Sequence, residues 1–346
     1  MNQIGISSFT LEQLTVFVKE LGQPAFRAKQ IFHWLHQRGV TDFDQMTDQP
    51  KSFIAQLKEK CFIESLSIER RQQSRDGTVK YLFRLPDGNC IETVWMKYSY
   101  GNTVCVSSQV GCRMGCRFCA STQGGRVRNL TAGEIAGEIY AAMSDMGQRV
   151  SHIVLMGIGE PLDNFDNVMD FLSIISSPDG VNIGMRNISL STCGVVPMIE
   201  KLAQKHLQLT LSISLHAPEN RMRSTMMPVN DAYPLEKLIS ACRSYQKETG
   251  RRISFEYAMV RGVNDSDATA RALANLIQGM GAHVNLIPIN PVDGSPYSAT
   301  DAANVKRFQD TLLKLGVNAT VRRRLGTDIS AACGQLRREA KGGTAT

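Results

Sequence analysis

The chain has 346 residues, 42% hydrophobic and 21% charged, with a formal net charge of +7. That length supports one large core with a small appendage, and the modest positive excess favours a polyanionic partner without demanding one. No run approaches ~18 consecutive apolar residues, Met1 to Thr10 lack a basic region followed by an apolar one, and the nine cysteines show no paired secretory spacing; membrane and secreted classes are disfavoured, and the expected location is cytoplasmic.

From Thr10, a candidate N-cap, Leu11, Leu14, Val18 and Leu21 share one helical face, and Gly22 ends it. A second helix runs from Phe26 to Arg38, with Ile31, Trp34 and Leu35 on one side and Arg27, Lys29, His33 and Arg38 elsewhere. A third, Lys51 to Lys60, follows Pro50. These helices define a small unit over residues 1–63 whose basic residues either grip phosphates or form a solvated face. Residues 64–100 read as a β-hairpin extension: the runs Lys80 to Leu85 and Cys90 to Lys97 flank the turn Pro86-Asp87-Gly88-Asn89, with Arg70, Arg71 and Arg75 upstream.

Over residues 101–325 strand and helix patterns alternate. Strands are predicted at Val104 to Ser108, His152 to Met156, Asn187 to Ser191, Leu209 to Leu215, Ile253 to Val260 and His283 to Pro288. Helices are predicted at Thr131 to Gly147, opened by a Thr131 to Glu134 capping box, and at Asn164 to Ser176, Val195 to Lys205, Pro234 to Thr249 and Asp265 to Met280. This alternation predicts an α/β fold, an incomplete (βα)6 TIM-like barrel with a wide mouth that suits a macromolecular substrate. Arg322, Arg323, Arg324, Arg337, Arg338 and Lys341 crowd the last segment, residues 326–346 and their approach, around Ala332-Cys333-Gly334, which reads as an RNA-facing loop with a reactive thiol.

In such a barrel the loops after the strands carry the chemistry. After the first strand stand Cys112, Cys116 and Cys119, a C-x3-C-x2-C spacing with Gly111 and Gly115, so one loop can turn three sulfurs toward one point. A structural zinc would want a fourth ligand, for which Cys105 is the candidate. A cubane 4Fe-4S cluster needs only three thiolates and leaves one iron open to a ligand that is not protein. Gly157-Ile158-Gly159-Glu160-Pro161 follows the second strand; it is either a plain turn or a ligand loop, its glycines allowing close approach and Glu160 accepting from an ammonium group. Ser191, the Ser214-Leu215-His216 run and Asn290 end later strands, where they suit a ribose, an adenine or a carboxylate, with helix caps and a packed histidine as the plainer alternatives. Glu92 lies within a strand, where a lone glutamate is usually surface. Cys61, Cys90, Cys193 and Cys242 read as buried small hydrophobes.

The cysteine run, with Phe118 before its last member, resembles the signature of the radical S-adenosylmethionine (SAM) superfamily. T-V-C-V-S-S-Q-V-G-C, R-N-L-T-A-G-E-I, G-E-P-L, S-L-H-A-P, N-L-I-P-I-N-P and I-S-A-A-C-G-Q-L together resemble the RlmN family of RNA methyltransferases over nearly the whole chain. Ser121-Thr122 and Ile158 stand where that family is expected to read Thr-Gly and Met. The resemblance implies a radical SAM barrel with a 4Fe-4S cluster on Cys112, Cys116 and Cys119. It also implies two SAM molecules per turnover, with Gly159, Glu160, Ser191, Ser214, Leu215, His216 and Asn290 as contacts.

The activity implied is methylation of carbon 2 of adenine in 23S rRNA and in tRNA. In that scheme Cys333 carries the methyl group as S-methylcysteine and bonds to the base, and Glu92 takes part in proton removal. Cys105 then attacks the Cys333 sulfur, leaving a transient disulfide that a flavodoxin- or ferredoxin-type donor resets. A monomer without a membrane partner is expected. The related Cfr enzymes share all five cysteines but methylate carbon 8, with ribosome-antibiotic resistance as the outcome; Pro161 and the Asn285 to Pro291 run resemble the carbon 2 branch. Two other classes stay open. A zinc-bearing RNA-binding module leaves Glu160, Ser214 and Cys333 unexplained, and a radical enzyme acting on a small molecule leaves the basic helical unit unexplained.

Overall fold

The computed structural model describes residues 3–290, 296–329 and 331, so Cys333 and the basic positions Arg337, Arg338 and Lys341 lie outside the described residues. Strand β1 (Ile4–Gly5) leads into helices α1 (Leu11–Glu20), α2 (Phe26–His36) and α3 (Lys51–Lys60), and β2 (Cys61–Phe62) returns to pair in parallel with β1. Thr10 caps α1 as predicted, its side chain accepting from the Gln13 amide while the Gln13 side chain reaches back. Several basic residues of this unit are engaged within the protein: Lys29 pairs with Asp179 at 2.9 Å, Arg27 lies over Phe53, and Arg38 lies over Trp34.

The three helices do not own a separate core. Ile31, Phe32 and Leu35 belong to the same buried cluster as Ile135, Ile139, Phe171 and Ile175 of the barrel's outer helices. At that junction His36 is buried, with Nδ1 3.0 Å from the Tyr140 hydroxyl, and burial pulls its pKa down to about 3 because a charged ring there would lose its water.

The predicted hairpin has a third strand: β3 (Ser67–Gln73), β4 (Val79–Arg84) and β5 (Cys90–Tyr98) run antiparallel. β3 is solvent-exposed at nearly every residue, so it lacks the apolar alternation by which a strand announces itself. β5 also pairs with β6 (Gly101–Cys105), which starts the parallel sheet, and a small hairpin of β7 (Gln109–Gly111) and β8 (Arg126–Asn129) flanks the cysteine loop. The chain then alternates through α4 (Ala132–Met146), β9 (His152–Leu155), α5 (Phe165–Ser176), β10 (Ile188–Thr192), α6 (Val196–Ala203) and β11 (Thr210–Ser214). It continues through α7 (Asn220–Met226), α8 (Val229–Ala232), α9 (Leu235–Thr249), β12 (Ile253–Met259), α10 (Asp267–Leu276), β13 (His283–Pro288), α11 (Ala302–Lys314) and β14 (Asn318–Val321).

All six predicted barrel strands are present and parallel, and β14 adds a seventh that was not predicted, since three of its four residues are exposed. The full sheet has ten strands in the order β14-β13-β12-β11-β10-β9-β6-β5-β4-β3. β14 is an edge and β6 is paired on both sides, so among the described residues no strand pairing closes the barrel. The resulting lateral gap lies between β5 and β6 on one side and β13 with residues 322–325 on the other.

Candidate active site

The C-terminal ends of the parallel strands and the cysteine loop enclose about 1040 Å³ of empty space, open to solvent. Cys112, Cys116, Cys119, Gly159, Glu160, Ser191, Ser214, His216 and Asn290 all line it. Leu215 does not: its side chain is fully buried, its amide donates to the Glu256 carbonyl at 3.1 Å, and its carbonyl accepts from Arg223.

The cysteine loop is held from three directions. At its start Gly111 has φ +77°, and a Cβ there would overlap the Gly125 carbonyl oxygen, so the β7–β8 hairpin closes only around glycine. Behind it, Asp163 accepts from Arg113, from Arg126 Nη1 at 2.8 Å and from Gln109 Nε2 at 2.9 Å. Burial would raise the Asp163 pKa, but these bonds overcome it and hold it below its usual value. On the far side the Arg117 amide donates to the Met226 carbonyl of α7 at 3.0 Å.

Burial pushes the Cys112 thiol up to about 12 and Cys116 well above its ordinary value, so both are protonated without a metal, and iron binding would displace those protons. Among the described residues no three Cys, His, Asp or Glu side chains converge on one ion-sized point. The three thiols line one cavity, and a cubane asks each sulfur to bind a different iron rather than a shared ion. Cys105, the candidate fourth zinc ligand, does not line that cavity.

Glu160 is 3% exposed; its Oε1 accepts from the Leu162 amide at 3.0 Å and its Oε2 from the Cys193 amide at 2.7 Å. Burial raises its pKa against the pull of these bonds. A carboxylate has lone pairs beyond these two, so it can still accept from an ammonium group. The glycines before it line the same cavity and have a packing reason besides the predicted one. A Cβ on Gly157 would come within 2.6 Å of the Val106 carbonyl oxygen, and one on Gly159, at φ +110°, within 2.7 Å of Ser108 Oγ; they let the loop pack under the strand that leads to the cysteines.

His216 has φ +59° and lies edge-on to Phe118, ring centroids 4.8 Å apart. Its Nδ1 accepts from the Ala258 amide at 2.9 Å, which leaves Nε2–H as the ring's donor, and burial, then the nearby Arg223 charge, pulls its pKa down to about 3. It is a neutral histidine, both packed and facing the cavity. Cys193 was read as a buried apolar residue; it is buried, but it also lines this cavity beside Cys116. Glu256 lines it as well, accepting from Asn285 Nδ2 at 2.7 Å. Neither has a local motif that marks it.

A second pocket of about 570 Å³ occupies the lateral gap and shares Met156, Ile287, Asn290 and Arg322 with the first. Val94, Met96 and Tyr98 of β5 form one wall, Arg323 and Arg324 the other, and Cys105 lies between. Cys105 packs in a small apolar cluster with Val94, Met96, Ile158, Leu325 and Ala331. Glu92 is neither a surface residue nor a lining one. It is 2% exposed, pairs with Lys80 Nζ at 2.6 Å, and by the alternation of β5 shares the face of Val94 and Met96, one step beyond the pocket. No helix among the described residues is long and apolar enough to cross a membrane.

Comparison with known proteins agrees with this architecture. The family described as the ribosomal RNA large subunit methyltransferase N-terminal domain matches residues 4–63, and the radical SAM superfamily matches residues 106–273. The chain is 49% identical over 334 residues to a "Probable dual-specificity RNA methyltransferase RlmN" of Clostridium novyi, covering 96% of this chain and 97% of that protein. It is 51% identical to the protein of that description from Clostridium perfringens strain SM101, covering 96% of each. A radical SAM methyltransferase from Sphaerobacter thermophilus superposes with a TM-score of 0.92 at 45% identity, covering 96% of this chain and 99% of that one.

Proposed function

Since this chain belongs to the RlmN family of radical SAM RNA methyltransferases, we propose that it methylates carbon 2 of adenine in 23S rRNA and in tRNA, with Cys333 as methyl carrier and Cys105 as the releasing thiol. The observation that carries this is the placement of Ala331 in the same apolar cluster as Cys105. Cys333 is two residues further on, within about 7 Å of chain reach. The lateral gap beside the cofactor cavity is therefore a place where two thiols distant in sequence can meet.

Bound on Cys112, Cys116 and Cys119, the cluster with its SAM supplies a 5′-deoxyadenosyl radical able to take a hydrogen atom from a methyl group. The residues of the chain do the rest. Glu160 accepts from the methionine ammonium; Ser191, Ser214 and Asn290 offer hydrogen bonds to the remaining polar groups, and His216 offers its Nε2–H. Cys333, methylated by displacement on a first SAM with S-adenosylhomocysteine as the leaving group, presents the methyl group to the base and, one hydrogen short, bonds through it to carbon 2. The adduct passes one electron back to the redox couple of a flavodoxin- or ferredoxin-type donor and loses its ring proton by way of Glu92 and its Lys80 partner, and the Cys105 thiolate then attacks the Cys333 sulfur. The sulfur–carbon bond breaks with its electron pair on the methylene carbon, which takes up a proton as the methylated base leaves, and a disulfide remains that two electrons from a donor of the same type reopen.

Arg322, Arg323 and Arg324 at the gap and the helical unit over residues 1–63 are assigned to the RNA backbone, where cations offset the few kcal/mol needed to unstack the target base. Residues 64–100 and 326–346 serve in this division as the extension and the carrier loop around the barrel at 101–325. Digestion of RNA treated with reconstituted protein, followed by chromatography against standards, tests the reading. The expected product is 2-methyladenosine; a dominant 8-methyladenosine peak would place the chemistry with the Cfr branch.

A further inference from the structure

Beneath the floor of the first cavity lies a cation that the proposed chemistry does not use. Arg223, on α7, is fully buried. Its Nε donates to the Leu215 carbonyl at 3.1 Å, Nη2 to the carbonyls of Cys193 at 2.7 Å and Ser214 at 3.2 Å, and Nη1 to Asn230 Oδ1 at 3.1 Å. Every one of these acceptors is neutral, and among the described residues no carboxylate forms an ion pair with the guanidinium. Gly194, at φ +104°, keeps room for it: a Cβ there would sit 3.3 Å from Nη2 and 3.0 Å from Leu238.

An arginine does not shed its proton to escape such a site, and a buried charge without a counter-charge is strongly unfavourable. The thiols of Cys193, Cys116 and Cys242 lie close enough for a charge on them to act on it. Ser214 and Cys193, whose carbonyls it holds, line the cofactor cavity. The same helix, through the Met226 carbonyl and the Arg117 amide, supports the loop between Cys116 and Cys119.

We propose that Arg223 is the buried counter-charge of the iron-sulfur cluster, a positioning residue that makes the cluster easier to reduce. The proposal rests on the reading of Cys112, Cys116 and Cys119 as cluster ligands. A 4Fe-4S core on three thiolates is anionic and becomes more so when it takes up one electron; no proton moves and no bond breaks. A fixed cation in a medium of low dielectric favours the more negative state.

The test uses the full chain, reconstituted anaerobically with iron and sulfide, titrated with dithionite and followed by electron paramagnetic resonance. Arg223→Gln removes the charge while keeping donors, Arg223→Lys keeps the charge, and Asn230→Asp sets a carboxylate against Nη1 with the guanidinium still in place. Arg223→Gln and Asn230→Asp should each lower the reduction equilibrium constant about tenfold, a negative shift of 59 mV for one electron, and Arg223→Lys should titrate close to wild type. If Arg223→Gln fails to fold, Asn230→Asp decides alone. A wild type that takes up no iron would undo the cluster reading itself. A wild type that titrates normally, beside an iron-replete Asn230→Asp protein with the same midpoint, would overturn only the role given to Arg223.

Discussion

The two adjoining cavities are built on opposite plans. The first gathers its three candidate cluster thiols from a single loop and satisfies Glu160 and His216 with backbone amides: Glu160 holds Leu162 and Cys193, and His216 holds Ala258. The second is assembled from β5, the end of β6, β13, residues 322–325 and Ala331, and its charged content is a row of arginines. A site that must present one geometry to a small cofactor is pre-set by short-range bonds. The second, which on the proposed function takes in part of a polyanion and passes a bond between two sulfurs, draws on distant segments that meet only in the folded chain.

The sharpest way to separate the two is to empty the first. Changing Cys112, Cys116 or Cys119 to Ala should remove most of the iron and all SAM cleavage, read as 5′-deoxyadenosine, while the far-ultraviolet circular dichroism stays that of the wild type. Cys105→Ala should do the reverse. Iron content and SAM cleavage persist, turnover stops, and a protein–RNA conjugate accumulates on denaturing gels with labelled RNA; adding Cys333→Ala abolishes the shifted band. Near wild-type turnover by Cys105→Ala would end the assignment of the second pocket as the thiol-exchange site.

A smaller effect is expected at Glu160. Glu160→Gln trades a charge-assisted hydrogen bond for a neutral one, so the SAM Kd should rise by roughly 10- to 100-fold, consistent with about 1.5–3 kcal/mol for a hydrogen bond to a charged group. Calorimetric titration checks it, and an unchanged Kd would remove Glu160 from the contacts.

The smallest effect is on stability and distinguishes the regions by pH. His36 and His216 have folded pKa values of about 3, below the ordinary 6.5. Between those values the unfolded chain binds protons that the folded one does not, so stability is complete above pH 6.5 and declines as pH falls toward 3. At pH 5 each ring should cost about 2 kcal/mol, at 1.36 kcal/mol per pH unit. His36→Asn should remove one ring's share of that slope, about 2 kcal/mol at pH 5, in urea unfolding series without altering SAM binding.

What could be read in the sequence was whatever is encoded within a dozen residues: the Thr10 cap, the Leu14 and Val18 face of α1, the six barrel strands and the spacing of Cys112, Cys116 and Cys119. β3 escaped because Arg70 and Arg71 sit on a strand whose partner, not its composition, makes it one. Arg223, within Asn-Arg-Met-Arg, looks like an exposed helix charge; only the carbonyls of β11 and of Cys193 reveal it as buried. Glu92 was hidden for a related reason, since its burial depends on Lys80 across the β4–β5 pair. The turn of Cys105 away from the cysteine loop and toward Ala331 depends on the lateral gap, which is a property of the whole barrel.

Because α1, α2 and α3 bury their apolar faces in the same core as α4 and α5, swinging the N-terminal unit away would expose Phe32, Leu35 and Phe171 to water. This packing fixes the N-terminal unit against the barrel, and under the proposed function it acts as a fixed gauge that leaves the work of adjustment to the RNA. On the proposed function, adenines in strained or single-stranded loops should yield to such a gauge before the same base stacked in a duplex, because less unstacking energy is needed.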